Sequence, residues 1–180
     1  MTRLLFALPL MAMLALSSNA ADTKYPLTGD NTKLTFVGTK TKGMHEGGFK
    51  KLTGSATVTD GKLETLKIEV DIETDSLYSD DTKLTGHLKS ADFFGVKDNP
   101  KATFKTTKVE KTDKGYTVTG ELTMLGKAKP VTFPVTVTEK DGTLTLTAEF
   151  KIDRTQWGMT YGKGMINDDV TIKVMMSAKK

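Results

Sequence analysis

Leu66-Lys67-Ile68-Glu69-Val70-Asp71-Ile72 alternates apolar and charged residues without a break. Successive side chains of a β-strand point to opposite faces, so one face of this segment is apolar and the other wet. The same period of two returns in Val131, Phe133, Val135 and Val137, and again in Leu144, Leu146, Ala148, Phe150 and Ile152. A sheet with a single apolar face must bury it, either on a second sheet or by curling on itself. The predicted fold class is therefore all-β, a single antiparallel barrel of about eight strands. Its interior is filled with side chains or holds an apolar ligand, and that choice governs the functional argument.

Working outward, strands are expected over residues 34–39, 49–59, 63–74, 101–111, 115–124, 131–139, 143–152 and 170–177. Asp60-Gly61 and Asp141-Gly142 are two-residue hairpin signals. One segment breaks the pattern. In Ser79-Asp80-Asp81-Thr82-Lys83-Leu84-Thr85-Gly86-His87-Leu88, Ser79 is a candidate helix cap and the aspartates suit the positive end of a helix. Leu84 and Leu88 share a face at i, i+4. One short helix is expected there.

Residues 1–20 read as a secretory signal peptide. Arg3 supplies the positive region, Leu4 to Leu16 the apolar stretch and Ser18-Asn19-Ala20 a small-residue cleavage site. The apolar run is shorter than the roughly 20 residues of a spanning helix, so no transmembrane segment is expected in the mature chain, residues 21–180, which is read as one domain. The leader has a bacterial character, so the expected compartment is the periplasm. The chain has 180 residues and no cysteine, so an exported fold must rest on its core rather than on disulfides. The formal charge is +4, and the lysines are dispersed among Asp and Glu. That distribution describes a solvated barrel exterior, not a nucleic-acid patch.

Alternation turns Leu66, Ile68, Val70 and Ile72 inward, together with Phe104, Leu122 and Met124, and with Phe133 and Phe150. Phe36 belongs with them. Lys67, Glu69, Glu121 and Thr123 fall on the outer face. Of the pair Phe93-Phe94, one ring points in, as core packing or at a cavity mouth. Trp157 and Met159 sit with Tyr161 and Met165 in a Gly-rich stretch suited to an adaptable portal or to a plug. Arg154, two residues beyond Ile152, either ties the barrel end or meets a ligand head group. His45 and His87 share no ligand-type spacing, and no Ser-His-Asp or Cys-His arrangement is present, so neither a metal nor a catalytic assignment follows. His87 stands as a helix-terminal residue or as a lip residue near a head group.

His87-Leu88-Lys89-Ser90-Ala91-Asp92-Phe93-Phe94, followed by Asn99-Pro100-Lys101-Ala102-Thr103-Phe104, resembles the signature of the YceI-like family. So do Gly120-Glu121-Leu122-Thr123-Met124-Leu125-Gly126 with Lys129-Pro130-Val131, Gly47-Gly48-Phe49 with Leu52-Thr53-Gly54, and Ile152-Asp153-Arg154 with Trp157-Gly158-Met159. The resemblance spans most of the mature chain in the family's order. It implies a lipocalin-like barrel, exported to the periplasm, that binds a polyisoprenoid such as a quinone tail in its lumen. Phe49, Phe93, Trp157 and Met159 complete the lipid-binding candidates, and His87 and Arg154 are the head-group or portal candidates. Two positions depart from the family pattern: Lys40 stands where the family often has a His, and Asp153 replaces the Asn before the Arg. The expected function is non-enzymatic binding, as carriage or storage, of a polyisoprenoid or similar amphiphile, with no cofactor and no metal. A membrane-protein partner stays open. The alternatives are a stress-related interaction module with a side-chain-filled barrel, or an enzyme acting on a lipid or quinone.

Overall fold

The computed structural model describes residues 20–180; the predicted leader lies, apart from Ala20, outside them. Eleven strands form one antiparallel sheet that curls into a half-barrel. They are β1 (Asp22–Thr28), β2 (Thr32–Lys40), β3 (Gly43–Phe49), β4 (Leu52–Thr59), β5 (Lys62–Glu73), β6 (Leu77–Ser79), β7 (Lys101–Thr112), β8 (Gly115–Met124), β9 (Lys127–Lys140), β10 (Thr143–Asp153) and β11 (Ile166–Lys179). One helix, α1 (Thr82–Lys89), follows β6. The order across the sheet is β1-β4-β5-β7-β8-β9-β10-β11-β2-β3-β6, with β1 and β6 as its edges.

Eleven strands replace the expected eight or so for identifiable reasons. β1 contains Pro26, which argues against a central strand but is compatible with the edge position it takes. β6 has three residues, too few for a periodic signal. The glycine stretch before Phe49 is β3, not a loop. Gly47 and Gly48 are in a strand because neighbours lie against them. A Cβ on Gly47 would stand 2.5 Å from the Phe36 ring, and one on Gly48 would stand 2.8 Å from the Tyr78 hydroxyl. α1 is capped by Asp81, not Ser79. The Asp81 carboxylate accepts from the Leu84 N–H at 2.7 Å, while the Ser79 hydroxyl donates to the Asp81 carbonyl at 2.7 Å. The hairpin signals hold: Asp60-Gly61 and Asp141-Gly142 have positive φ at both residues, as does Leu125-Gly126.

Facing follows the alternation. Lys67, Glu69 and Glu121 are exposed and Thr123 is half-exposed, while Leu66, Ile72, Met124 and Phe133 are buried. On the outer face Lys105 pairs with Glu69 at 2.9 Å, and hydrogen bonding to the lysine lowers the Glu69 carboxyl's pKa. Inside, the end that carries the β4–β5, β7–β8 and β9–β10 hairpins is packed solid around Tyr25, Val58, Leu66, Val118 and Leu144.

β9 decides the shape. Lys127 to Val135 pair with β8, and Thr136 to Lys140 pair with β10. Beyond Thr147, β10 is paired with β11 alone. The two walls part there, and the 3₁₀ turn Arg154–Trp157 fills the corner. The Trp157 indole N–H donates to the Leu122 carbonyl at 3.0 Å. Arg154 is buried and donates to the carbonyls of Met159 (2.6 Å), Tyr161 (3.0 Å), Asn167 (3.1 Å) and Ile166 (3.3 Å). Asp168 lies 3.6 Å from the same guanidinium.

Removing that guanidinium orphans a cluster of carbonyls. Arg154→Met should lower stability by about 3–5 kcal/mol in urea titrations. Arg154→Lys should recover less than half of the loss, since an ammonium lacks the planar five-donor fork. Wild-type midpoints for both variants would mean that water, not Arg154, satisfies the loop. A second outcome concerns Tyr25, whose hydroxyl donates to Glu139 Oε1 at 2.5 Å and joins edge strand β1 to β9. Burial, reinforced by Glu139, pushes the Tyr25 phenol up to about 12 from 10.0. A raised acid pKa favours the protonated folded state. Its stabilisation is thus complete below pH 10 and is lost as pH rises from 10 toward 12. Tyr25→Phe should cost about 1–2 kcal/mol at neutral pH and flatten the alkaline limb of a stability–pH profile.

Candidate functional site

Above the packed end, the parted walls leave a cavity of about 310 Å³. Its surface is almost wholly apolar. Val170, Ile172, Val174 and Met176 of β11 face it, cross-strand from inward residues of β10 and β2. Two aromatic groups stand within it. Phe133 stacks on Phe150 at 4.0 Å with Phe104 tilted beside it at 5.7 Å, and Phe49 bridges Phe36 at 6.1 Å and Phe94 at 5.5 Å. Gly120 makes the room for Phe104, because a Cβ there would lie 2.3 Å from that ring. α1 lays Leu84 and Leu88, the predicted apolar face, over the open end.

Most of the residues expected in the lumen line this cavity: Phe36 and Phe49, Ile68 and Val70, Phe93, Phe104, Leu122 and Met124, Phe133, Phe150 and Met159. Ile68, Val70, Phe104, Leu122 and Phe150 are only half-buried because they face this space rather than packed neighbours. Leu66 does not line it but belongs to the packed end, where it is 1% exposed. Trp157 does not line it either and seals the corner with its ring buried and its N–H bonded.

The head-group candidates separate. Arg154 reaches the cavity wall, but its donors are engaged by the loop carbonyls. His87 stands behind the lining. Its Nε2 is 2.9 Å from Asp92, and its ring packs edge-on against Phe93 (5.1 Å) and Tyr161 (4.8 Å). Asp153 caps the 3₁₀ turn, accepting from the Thr155 hydroxyl at 2.6 Å and N–H at 2.9 Å, and these bonds lower its pKa.

The polar groups at the mouth are Lys40, Thr39 and His45. His45 lies opposite Gly38 across the β2–β3 pair, with its Nδ1 3.0 Å from Asp80. Desolvation pushes the Asp80 carboxyl up, but the Glu46 N–H and the His45 ring outweigh it, and the group sits below the ordinary carboxylate range. Among the described residues no group of three or more His, Cys, Asp or Glu gathers as a metal site would need.

The expected strands 34–39 and 49–59 left His45 between them, and sequence reasoning did not place His45, Gly38 or the β11 residues in the site. The alternation of Val170, Ile172 and Val174 was a usable signal for β11. Gly38 offered none, since it contributes space rather than a side chain.

The sequence profile of the YceI-like domain matches residues 25–178. A UPF0312 protein of Pseudomonas putida (strain GB-1) is 46% identical over 91 residues, covering 50% of this chain and 47% of that protein. A UPF0312 protein of Yersinia enterocolitica is 40% identical over 86 residues, covering 48% and 45%. The matched region thus spans about half the length of these curated relatives. Among solved structures, BcnA of Burkholderia cenocepacia superimposes with a TM-score of 0.75 at 28% identity, covering 82% of this chain and 96% of that one. A polyisoprenoid binding domain from Saccharophagus degradans, implicated in plant cell wall breakdown, gives 0.66 at 13% identity over 87% and 97%, a likeness of fold. With its profile matched from the first strand to the last, the chain belongs to the family of the YceI-like domain.

Proposed function

We infer that the protein is a non-enzymatic binder that carries or stores a polyisoprenoid or similar long-chain amphiphile, exported to the periplasm by a cleaved leader. The apolar cavity of about 310 Å³ carries this reading. Its size falls at the lower end of the ~300–1,000 Å³ usual for ligand sites. Binding would transfer apolar chain from water to the lumen at about 0.8 kcal/mol per CH₂. About ten such groups give micromolar affinity after a few kcal/mol of immobilisation cost. The fold shared with a polyisoprenoid binding domain supports the ligand class. The cavity weighs against a barrel filled by its own side chains. The histidine at the mouth is paired with Asp80, not aimed with a second acid–base group at the lumen, which weighs against an enzyme.

Gly38 supplies the test. It lines the cavity, and a Cβ built there meets nothing within 4 Å. Gly38→Leu should therefore fill lumen space while leaving the fold intact, with stability equal to wild type or slightly higher because a strand glycine is removed. Titration with a fluorescent isoprenoid analogue should show affinity reduced at least about tenfold, the loss of some two buried CH₂ groups. Thr123→Gln on the outer face should bind as wild type does. Equal affinity for all three proteins would remove the cavity as the binding site.

A further inference from the structure

The cavity ends abruptly, within one inward step on each of five strands. Inward residues line it down to one position and are locked in side-chain packing at the next. On β5 the change falls between Ile68 and Leu66, and on β9 between Phe133 and Val135. On β10 it falls between Leu146 and Leu144, and on β11 between Met176 and Ala178. On β1 it falls between Leu27 and Tyr25, whose hydroxyl is bonded to Glu139.

Leu146 and Met176 form a floor. They face each other across the β10–β11 pair, and Thr32 of β2 continues the row beyond Met176. The next inward pair, Leu144 and Ala178, is 0% exposed at both positions. An interior packed at crystal density does not yield, and forcing extra methylenes into it is destabilising. The slot is therefore blind, and a chain that enters beneath Leu84 and Leu88 of α1 stops at this floor. Its capacity follows from its size. A methylene takes up about as much room as a water molecule, roughly 30 Å³, so a cavity of about 310 Å³ holds about ten of them.

We propose that the cavity is a length gauge for chains of about ten carbons, two isoprene units or a decyl chain, and that Met176 on its floor sets the limit. The proposal rests on the carrier reading and specifies how much of the ligand the protein grips. Carbons beyond the limit stay in water at the mouth, beside Lys40 and His45, and add no affinity. Only a chain of the gauged length puts its end on the floor and its head group at the mouth together.

The test is a ladder of chain lengths, read as displacement of the fluorescent isoprenoid analogue, whose own affinity is measured first on each protein. One series runs from hexanol to hexadecanol, and the other comprises prenols of two, three and four isoprene units. Affinity should rise about fourfold with each added methylene. It should level off near decanol, and in the prenols after the second unit. Val174→Phe, one inward position above the floor, adds carbon to the slot and should move the break shorter by about four carbons. Met176→Ala empties part of the floor and should move it longer by about two or three. Met175→Ala, next in sequence but 53% exposed on the outer face, should leave it in place. Circular dichroism checks each fold, and if Met176→Ala unfolds, Val174→Phe decides alone. Affinity that climbs at the same rate to the longest chain of either series, or a break that Val174→Phe leaves in place, overturns the gauge while the carrier stands. Failure of the analogue and of every chain to bind wild type overturns the carrier and the gauge together.

Discussion

The architecture depends on β9 being shared between two walls. A strand hydrogen-bonded along its whole length to both neighbours would hold those neighbours a constant two strand spacings apart. β9 instead gives its first half to β8 and its second half to β10. The walls converge where the hairpins lie and part at the other end. Convergence lets aliphatic side chains from opposite walls meet, which is why Val58, Val118 and Leu144 are fully buried. Divergence leaves inward residues facing each other across space. Trp157 and Arg154 are the structural response to that parting: one bonds to β8, and the other gathers the carbonyls of the loop that rounds the open end.

The hollow half is chemically plain. Glycines set its width, with rings lying over Gly47 and Gly120 and nothing over Gly38. The donors that come nearest to the interior are already engaged, Arg154 by carbonyls and the Trp157 indole by Leu122. An interior without free hydrogen-bonding groups discriminates by length and thickness rather than by functional group, and such discrimination is shallow, about 1–3 kcal/mol per methylene. If the cavity takes an amphiphile, as proposed, selectivity for its head group falls to the mouth, at Lys40, Thr39 and His45.

Much of this was legible in the residues. Where a strand has one wet face and one dry face, alternation is a direct record of facing, so Ile68, Val70, Leu122 and Phe150 could be assigned to the lumen from spacing alone. What alternation cannot record is whether an inward residue meets a neighbour or a void. Leu66 and Ile68 are two positions apart on the same face, yet one is in solid packing and the other on the cavity wall. That difference arises from the parting of strands far away in sequence. Glycine-rich and very short strands were the other blind spot. β3 is held by rings that lie on its backbone, a reason that resides in Phe36 and Tyr78 and not in β3 itself. The role of Arg154 was open for a similar reason, because its partners are main-chain carbonyls whose positions no side-chain pattern encodes.

A half-barrel, unlike a closed one, keeps two edges, and each is a place where a foreign strand could add itself. Both edges here are blunted. β6 offers three residues, too few to template a ladder. β1 is longer but carries Pro26 at its middle, so one donor is missing from the row, and Lys24 adds a charge that a docking strand would have to accommodate. Edges blunted in this way disfavour strand addition between copies without disulfides or ring closure.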